Sequence, residues 1–269
     1  FSLISLLLLA LSLAADLYVT SSKSGNNLGT FSDPYFSFVR ALSKAASGDN
    51  IYLLKGTHNI ELDFAGFPMA FISNSVSVRT LFCASANHSE CATDRAILKL
   101  VTPITLFFMS PEVKFADIII SGRTSLVPGC SSDYCFYCPT ASTLEGVKYN
   151  DRGEVIENYA DSSKCSAYFF SDFFSFYLTK VEFNNVLFTE IRMLPNYVVR
   201  ANGGSLSLIK VDFDWIQSRP ETAIIIAECT MGCKSMDLLY DGGSVAHLND
   251  GYEFKSMPNA GKFLNAKKS

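Results

Sequence analysis

The sequence predicts an all-β parallel β-helix, and three observations carry that prediction. First, a six-residue pattern (apolar, spacer, apolar, two spacers, apolar) returns along the chain. It reads Val76-x-Val78-x-x-Leu81, Val113-x-Phe115-x-x-Ile118, Val181-x-Phe183-x-x-Val186 and Val211-x-Phe213-x-x-Ile216, a short strand, a bend and the start of a second strand. Second, the copies lie 37, 68 and 30 residues apart. Against a base period of about 30, the excesses fall where cysteine-bearing loops fit: Cys83 to Cys91, and residues 126–166. Third, small polar turns such as Asn202-Gly203-Gly204 and Asp241-Gly242-Gly243 separate the strand-like runs.

Taken in order, residues 1–15 form an apolar run ending in small residues before Asp16, the form of a signal peptide and its cleavage site. Its basic n-region is missing, so the sequence is expected to be incomplete at this end. The remainder, about 254 residues, reads as one domain spanning 16–269. Residues 17–20 make a first strand, followed by a Gly- and Asn-rich turn region. Asp33 is placed to cap a helix with Pro34 at its first position. Tyr35, Phe38, Val39, Leu42, Ala45 and Ala46 then keep helical spacing until Gly48-Asp49 stops it, and Ile51 to Leu54 form a strand.

From Asp16 through Thr57 this order resembles the N-terminal cap of pectin-lyase-like right-handed β-helix proteins: strand, Gly/Asn turn, Asp33-Pro34-Tyr35, a helix carrying Arg40-Ala41-Leu42, then Gly48-Asp49-x-Ile51-Tyr52-Leu53 and Gly56-Thr57. The resemblance implies a right-handed coil whose first turn is covered by the helix. It implies little about activity, because that superfamily includes lyases, hydrolases, esterases, adhesins and surface proteins with no known activity.

Later coils begin at Ala70–Ser73, Thr105–Met109, Phe174–Leu178, Tyr197–Arg200 and Ala223–Ala227, and continue less clearly through Asp237–Tyr240 and Ser244–Leu248, for about six or seven coils in all. Within the insertion, Val147 to Val155 reads as a hairpin turning at Asn150 to Gly153. No C-terminal cap is recognisable, and truncation is expected at that end too. In the fourth hexad, strict alternation would bury Trp215, whereas the repeat buries Ile216 after a bend; the repeat is preferred.

Eight cysteines behind a signal peptide imply disulfides in an oxidising compartment. Cys83 and Cys91 bracket one loop, and Cys229 and Cys233 flank a tight turn. Cys130, Cys135, Cys138 and Cys165 lie together in the insertion, where a zinc site through Cys135-x-x-Cys138 is the rival reading. Asn87-His88-Ser89 is the single glycosylation sequon.

In each hexad the spacers point outward. Stacking the coils gives three outer columns: Ser75, Glu112, Lys180 and Lys210; Ser77, Lys114, Glu182 and Asp212; and Arg79, Ala116, Asn184 and Asp214. Adjacent coils would then set Glu182 beside Asp212 at about 4.8 Å along the backbone, with Lys180 and Lys210 alongside. Two such carboxylates suit retaining glycoside hydrolysis. With Ca²⁺ against a uronate and a lysine base they suit β-elimination instead. The bland alternative is a solvated face of diagonal ion pairs.

Motifs argue against chemistry. The Asn-Thr-Asp, Asp-Asp, Gly-His-Gly and Arg-Ile-Lys series of polygalacturonase-like members is absent, as are the pectate-lyase-type motifs. His58, His88 and His247 show no metal spacing. Phenylalanine, 22 residues against 12 Tyr and one Trp, points to rings stacked inside the bore, with Phe169, Phe173 and Phe176 as candidates for a subunit contact. A net charge of −4 gives no polycationic surface for nucleic acid. The expectation is a secreted or cell-surface module with a structural, assembly or glycan-binding role and no cofactor or metal, its partners being glycans, extracellular proteins or further copies of itself. Enzymatic activity is left open but disfavoured. A polysaccharide lyase (the one case calling for Ca²⁺) or glycoside hydrolase using Glu182, Asp212, Asp214 and Lys180 or Lys210, or a filament subunit, are the alternatives.

Overall fold

The computed structural model describes residues 14–22, 25–60, 69–82, 92–100, 105–122, 135–137, 146–149, 155–158, 172–192, 197–217, 224–230, 233–245 and 264–267. The chain runs through β1 (Asp16–Val19), α1 (Phe38–Lys44), β2 (Asp49–Leu53) and β3 (Thr57–Ile60). A second coil is β4 (Met69–Ile72), β5 (Val76–Thr80) and β6 (Ala96–Leu100), and a third is β7 (Thr105–Phe108), β8 (Glu112–Ala116) and β9 (Ile118–Gly122). Next come β10 (Cys135–Tyr137), β11 (Gly146–Tyr149) and β12 (Val155–Asn158). The fourth coil is β13 (Phe174–Asn184) with β14 (Leu187–Arg192), and the fifth β15 (Val199–Ile209) with β16 (Asp212–Gln217). β17 (Ile225–Glu228), β18 (Met236–Asp241) and β19 (Leu264–Lys267) close the order.

Coil-to-coil pairing is parallel and builds a solenoid-like stack with three faces. The first face holds β4, β7, the N-terminal halves of β13 and β15, then β17 and β19. The second holds β1, β2, β5, β8, the C-terminal halves of β13 and β15, and β18. The third holds β3, β6, β9, β14 and β16. Between β9 and β13 the insertion strands β10, β11 and β12 pair antiparallel, with Tyr149 opposite Val155 as the expected hairpin requires.

Inward residues sit on their own kind one coil away. Val76 lies opposite Val113, and Val113 opposite Val181. The rings of Phe115 and Phe183 stack at 5.1 Å, Phe108 and Phe176 at 5.0 Å, and Phe188 and Phe213 at 4.9 Å. All six are buried, in keeping with the bore stacking expected of a Phe-rich chain. Phe173 and Phe176 belong to this core, so neither is available for the subunit contact proposed for them; Phe169 lies outside the described residues.

The fourth hexad is displaced by one face. Val181 and Phe183 lie opposite Leu206 and Leu208, whereas Phe213 lies opposite Phe188 and Ile216 opposite Ile191. The true continuation on the second face is therefore Leu206-x-Leu208-x-x-Val211. The cause is a single left-handed residue at the corner between the second and third faces in the third, fourth and fifth coils: Asp117, Asn185 and Lys210, with φ of 54°, 54° and 51°. One such residue turns a two-residue alternation into a three-residue step. Leu206, Leu208, Val211, Phe213 and Ile216, all buried, thus alternate steps of two and three, and the same hexad can be read from either corner. At the next bend Glu190 is also left-handed, at φ 51°. Ile216 is buried there, as the repeat requires; the Trp215 side chain lies outside the described residues.

The corner residues stack. The Asn185 side-chain amide donates to Asp117 Oδ1 at 2.7 Å, and the Lys210 backbone N–H donates to the Asp241 carbonyl at 2.9 Å. Asn and Asp tolerate this conformation better than other non-glycine residues. At the corner between the first and second faces, Gly203 and Gly204 are left-handed too, and a Cβ on Gly204 would run into the Thr179 carbonyl.

Helix α1 packs on β1, β3 and β4, the first strands of the three faces. It thereby covers the N-terminal end of the stack with buried Phe38, Ala41 and Leu42. Its N-cap is Ser37, whose hydroxyl accepts from the Arg40 N–H, rather than Asp33 with Pro34. The difference arises because Tyr35 runs beside Val19 as an extended bridge. Asp33 instead accepts from the Asn27 N–H at 2.8 Å, closing the preceding turn. At the far end of the helix Gly48 is left-handed, and Asp49 accepts from Ala46 at 2.7 Å and from Ala15 at 2.8 Å. The proposed leader, save for 14–15, lies outside the described residues.

Lys210 carries a lysine where the corner favours Asn. Lys210→Asn is expected to raise stability by about 0.5–1 kcal/mol, read as a higher urea midpoint with unchanged m-value; a lower midpoint would contradict the corner assignment.

Candidate functional site

The expected columns hold for the first three hexads. Glu112 pairs with Lys180 in the ladder, and the Glu112 backbone N–H donates to Ser75 Oγ at 3.1 Å. The Lys180 ammonium stands 3.0 Å from Glu112 Oε1 and that of Lys114 3.4 Å. The hydrogen bond from Lys180 holds the Glu112 carboxyl below its ordinary range against the opposing effect of burial, with Lys114 assisting. This is a solvated ion-pair face.

The Glu182–Asp212 pair does not assemble. Glu182 lies opposite Lys114 on one side and Ser207 on the other. Asp212 opens β16 on the third face, opposite Leu187, where its Oδ1 accepts from the Ser244 N–H at 2.8 Å and the Ser244 hydroxyl at 2.7 Å. Asp214 lies opposite Thr189, and Lys210 occupies the corner between faces. The displaced register separates these groups: in the next coil the neighbours of Lys180 and Glu182 are Ser205 and Ser207, not Lys210 and Asp212. Further along the second face, Arg79 sits 5.3 Å over the Tyr52 ring, and Tyr52 stacks on Tyr18 at 5.5 Å. These rings lie over one another along the stack, so their faces are spent on each other.

A different set of chemical groups converges on the first face. Arg200 is the second residue of β15. Glu228 ends β17, one coil on, opposite Asn202. Arg200 Nε and Nη2 both donate to Glu228 Oε1, at 2.9 and 2.6 Å. Nη1 stands 3.7 Å from Asp172 Oδ2, just ahead of β13, and the guanidinium lies 6.0 Å from the Tyr197 ring centre. The Tyr197 backbone N–H also reaches the Asp172 carboxylate. Thr105 donates its hydroxyl to the Asp172 carbonyl, and Asn202 and Thr230 exchange hydrogen bonds of 2.7 and 3.0 Å beside Glu228. Asp172 and Glu228 are 7% and 5% exposed. Asp172 Oδ1 has no hydrogen-bond partner. Burial pushes the Asp172 carboxyl up to about 6, with Arg200 opposing.

Sequence reasoning missed this cluster although its spacing was present: Arg200-x-Asn202 and Glu228-x-Thr230 are 28 residues apart in adjacent coils, two more than the register step that sets Asn202 opposite Glu228. Glu228 falls one residue beyond the expected strand at 223–227, and Asp172 two residues ahead of the one at Phe174–Leu178.

Of the remaining candidates, Cys229 and Cys233 form a disulfide with Cα atoms 5.5 Å apart, closing the excursion between β17 and β18. Cys135 is described only by its backbone in β10; Cys83, Cys91, Cys130, Cys138, Cys165, Asn87, His88 and His247 lie outside the described residues. His58 is buried facing Leu98, with Nε2 on the Leu54 carbonyl at 2.8 Å, and burial lowers its pKa. Among the described residues no group of three or more His, Cys, Asp or Glu could hold a metal ion, and no helix is long and apolar enough to cross a membrane.

Comparison with protein-family models, curated proteins and solved structures gives no match to this chain.

Removing the guanidinium would leave two buried carboxylates facing each other. Arg200→Met is expected to cost roughly 3–5 kcal/mol at pH 7, whereas Lys180→Met on the solvated face should leave the urea midpoint nearly unchanged. Urea unfolding of both variants checks the contrast.

Proposed function

We propose that this chain is a non-catalytic, secreted or cell-surface module, a right-handed parallel β-helix of the pectin-lyase-like kind, that binds glycans or builds an extracellular assembly. One observation carries the reading: several of the charged and amide groups on the described outer walls are engaged with one another, most of them along the stack. Glu112 is held by Lys180 and Lys114, Asp212 by Ser244, Arg200 by Glu228 and Asp172, and Asn185 by Asp117. The carboxylates that do lie close together, Asp172 and Glu228, are buried, out of reach of a polymer. A wall of axial pairs suits a rigid spacer or display surface.

The leader-like N-terminus, the Cys229–Cys233 disulfide and the sequon at Asn87 support an extracellular setting. The capped N-terminal end favours recognition along the walls over head-to-tail stacking through both ends.

Incubation of the secreted protein with uronate-rich and neutral polysaccharides, followed by size exclusion, tests the reading. Unchanged polymer length, with or without retention of the protein on the polymer, is expected. Shortening that disappears in Glu182→Gln or Asp212→Asn would establish a lyase or hydrolase and overturn it.

A further inference from the structure

The buried cluster on the first face spans three successive coils. Asp172 precedes β13 in the fourth, Arg200 lies in β15 of the fifth, and Glu228 ends β17 of the sixth. One guanidinium serves two carboxylates. It spends Nε and Nη2 on Glu228 at 2.9 and 2.6 Å, which leaves the longer 3.7 Å contact for Asp172. With all three groups ionised the cluster holds one uncompensated negative charge. It also holds one buried acceptor, Asp172 Oδ1, with no donor.

We propose that this cluster is an acid-tightened clasp: uptake of one proton by Asp172 removes its excess negative charge and holds the fourth, fifth and sixth coils together in a mildly acidic medium. The proton neutralises the excess charge and leaves Arg200 and Glu228 as a balanced pair. The groups facing Asp172 are Arg200 from β15, Glu228 from β17, and the backbone N–H of Tyr197 ahead of β15, whose ring lies 6.0 Å from the Arg200 guanidinium, while Thr105 of β7 holds the Asp172 carbonyl.

The direction follows from linkage. Burial raises the folded-state pKa of Asp172 from 3.8 to about 6, so the folded chain binds this proton more tightly than the unfolded chain does. Stability from the clasp is fully present below about pH 4 and is lost as pH rises through 6. Between pH 4.5 and 7 the change amounts to roughly 25-fold in the folding equilibrium. His58 acts in the opposite sense, since burial lowers its pKa and favours the neutral ring. The comparison therefore has to be a difference between variants that share His58.

Urea midpoints of the wild type and Asp172→Asn across pH 4.5–7.5 test the clasp. Asparagine copies the neutral carboxyl, so the variant should match or exceed the wild type at pH 7, and the wild type should gain on it by roughly 25-fold by pH 4.5. A variant weaker than the wild type by a constant amount at every pH would overturn the proposal. Should Asp172→Asn fail to fold, carboxyl ¹³C shifts of aspartate-labelled wild type decide. One aspartate titrating near 6 supports the clasp, and none titrating above about 5 removes it.

Discussion

Everything in this molecule depends on the register between coils. A parallel solenoid has no bundle of converging elements to fix its core; each coil is positioned only by the one before it and the one after. Here the register is set by inward residues landing on their like. Phe115 lies over Phe183, Phe188 over Phe213 and Val113 between Val76 and Val181. A slip of one residue would turn every ring outward. Stacking fixes the order along the axis, and the left-handed corners at Asp117, Asn185 and Lys210 fix where each face ends.

Two consequences reach the surface. First, outward residues inherit the same register, so charges meet axial neighbours rather than a central cleft; Glu112 with Lys180 and Asn185 with Asp117 are the result. Second, a stack needs its first coil covered. The helix Phe38–Lys44 does this by packing on the leading strand of each face. The first face behaves differently from the second, because outward-facing Ser175, Asn202, Ile226 and Glu228 are buried there. Low dielectric is what makes the Asp172–Arg200–Glu228 cluster sensitive to a proton, while the exposed Glu112–Lys180 pair is merely screened.

Legibility in the sequence followed the physics of each feature. The hexads at Val113 and Val181, and the first two positions of the one at Val76, were readable because strand alternation and a corner step leave a local apolar pattern; Leu81 is only half-buried, and Ala96, beyond the Cys83–Cys91 excursion, lies opposite Ile118 in its stead. Readable too were the capping helix, the Val147–Val155 hairpin and the Cys229–Cys233 link, all of short range. The fourth hexad was misplaced because steps of two and three repeat every five residues, and Val211-x-Phe213 looked more like its predecessors than Leu206-x-Leu208 did. That one displacement put Asp212 beside Glu182 on paper, while in the fold it sits on another face. The helix start was placed too early because Asp33-Pro34 makes a plausible cap locally, whereas the bridge between Tyr35 and Val19 is a tertiary contact. The buried cluster needed the first-face register, which no hexad reports.

The register can be read directly by zero-length carbodiimide coupling followed by peptide mass spectrometry. An amide between Glu112 and Lys180 is expected, since their charged atoms stand 3.0 Å apart across 68 residues of sequence. A link joining Glu182 to Lys210, with none between Glu112 and Lys180, would contradict the stacking order on which the whole description rests.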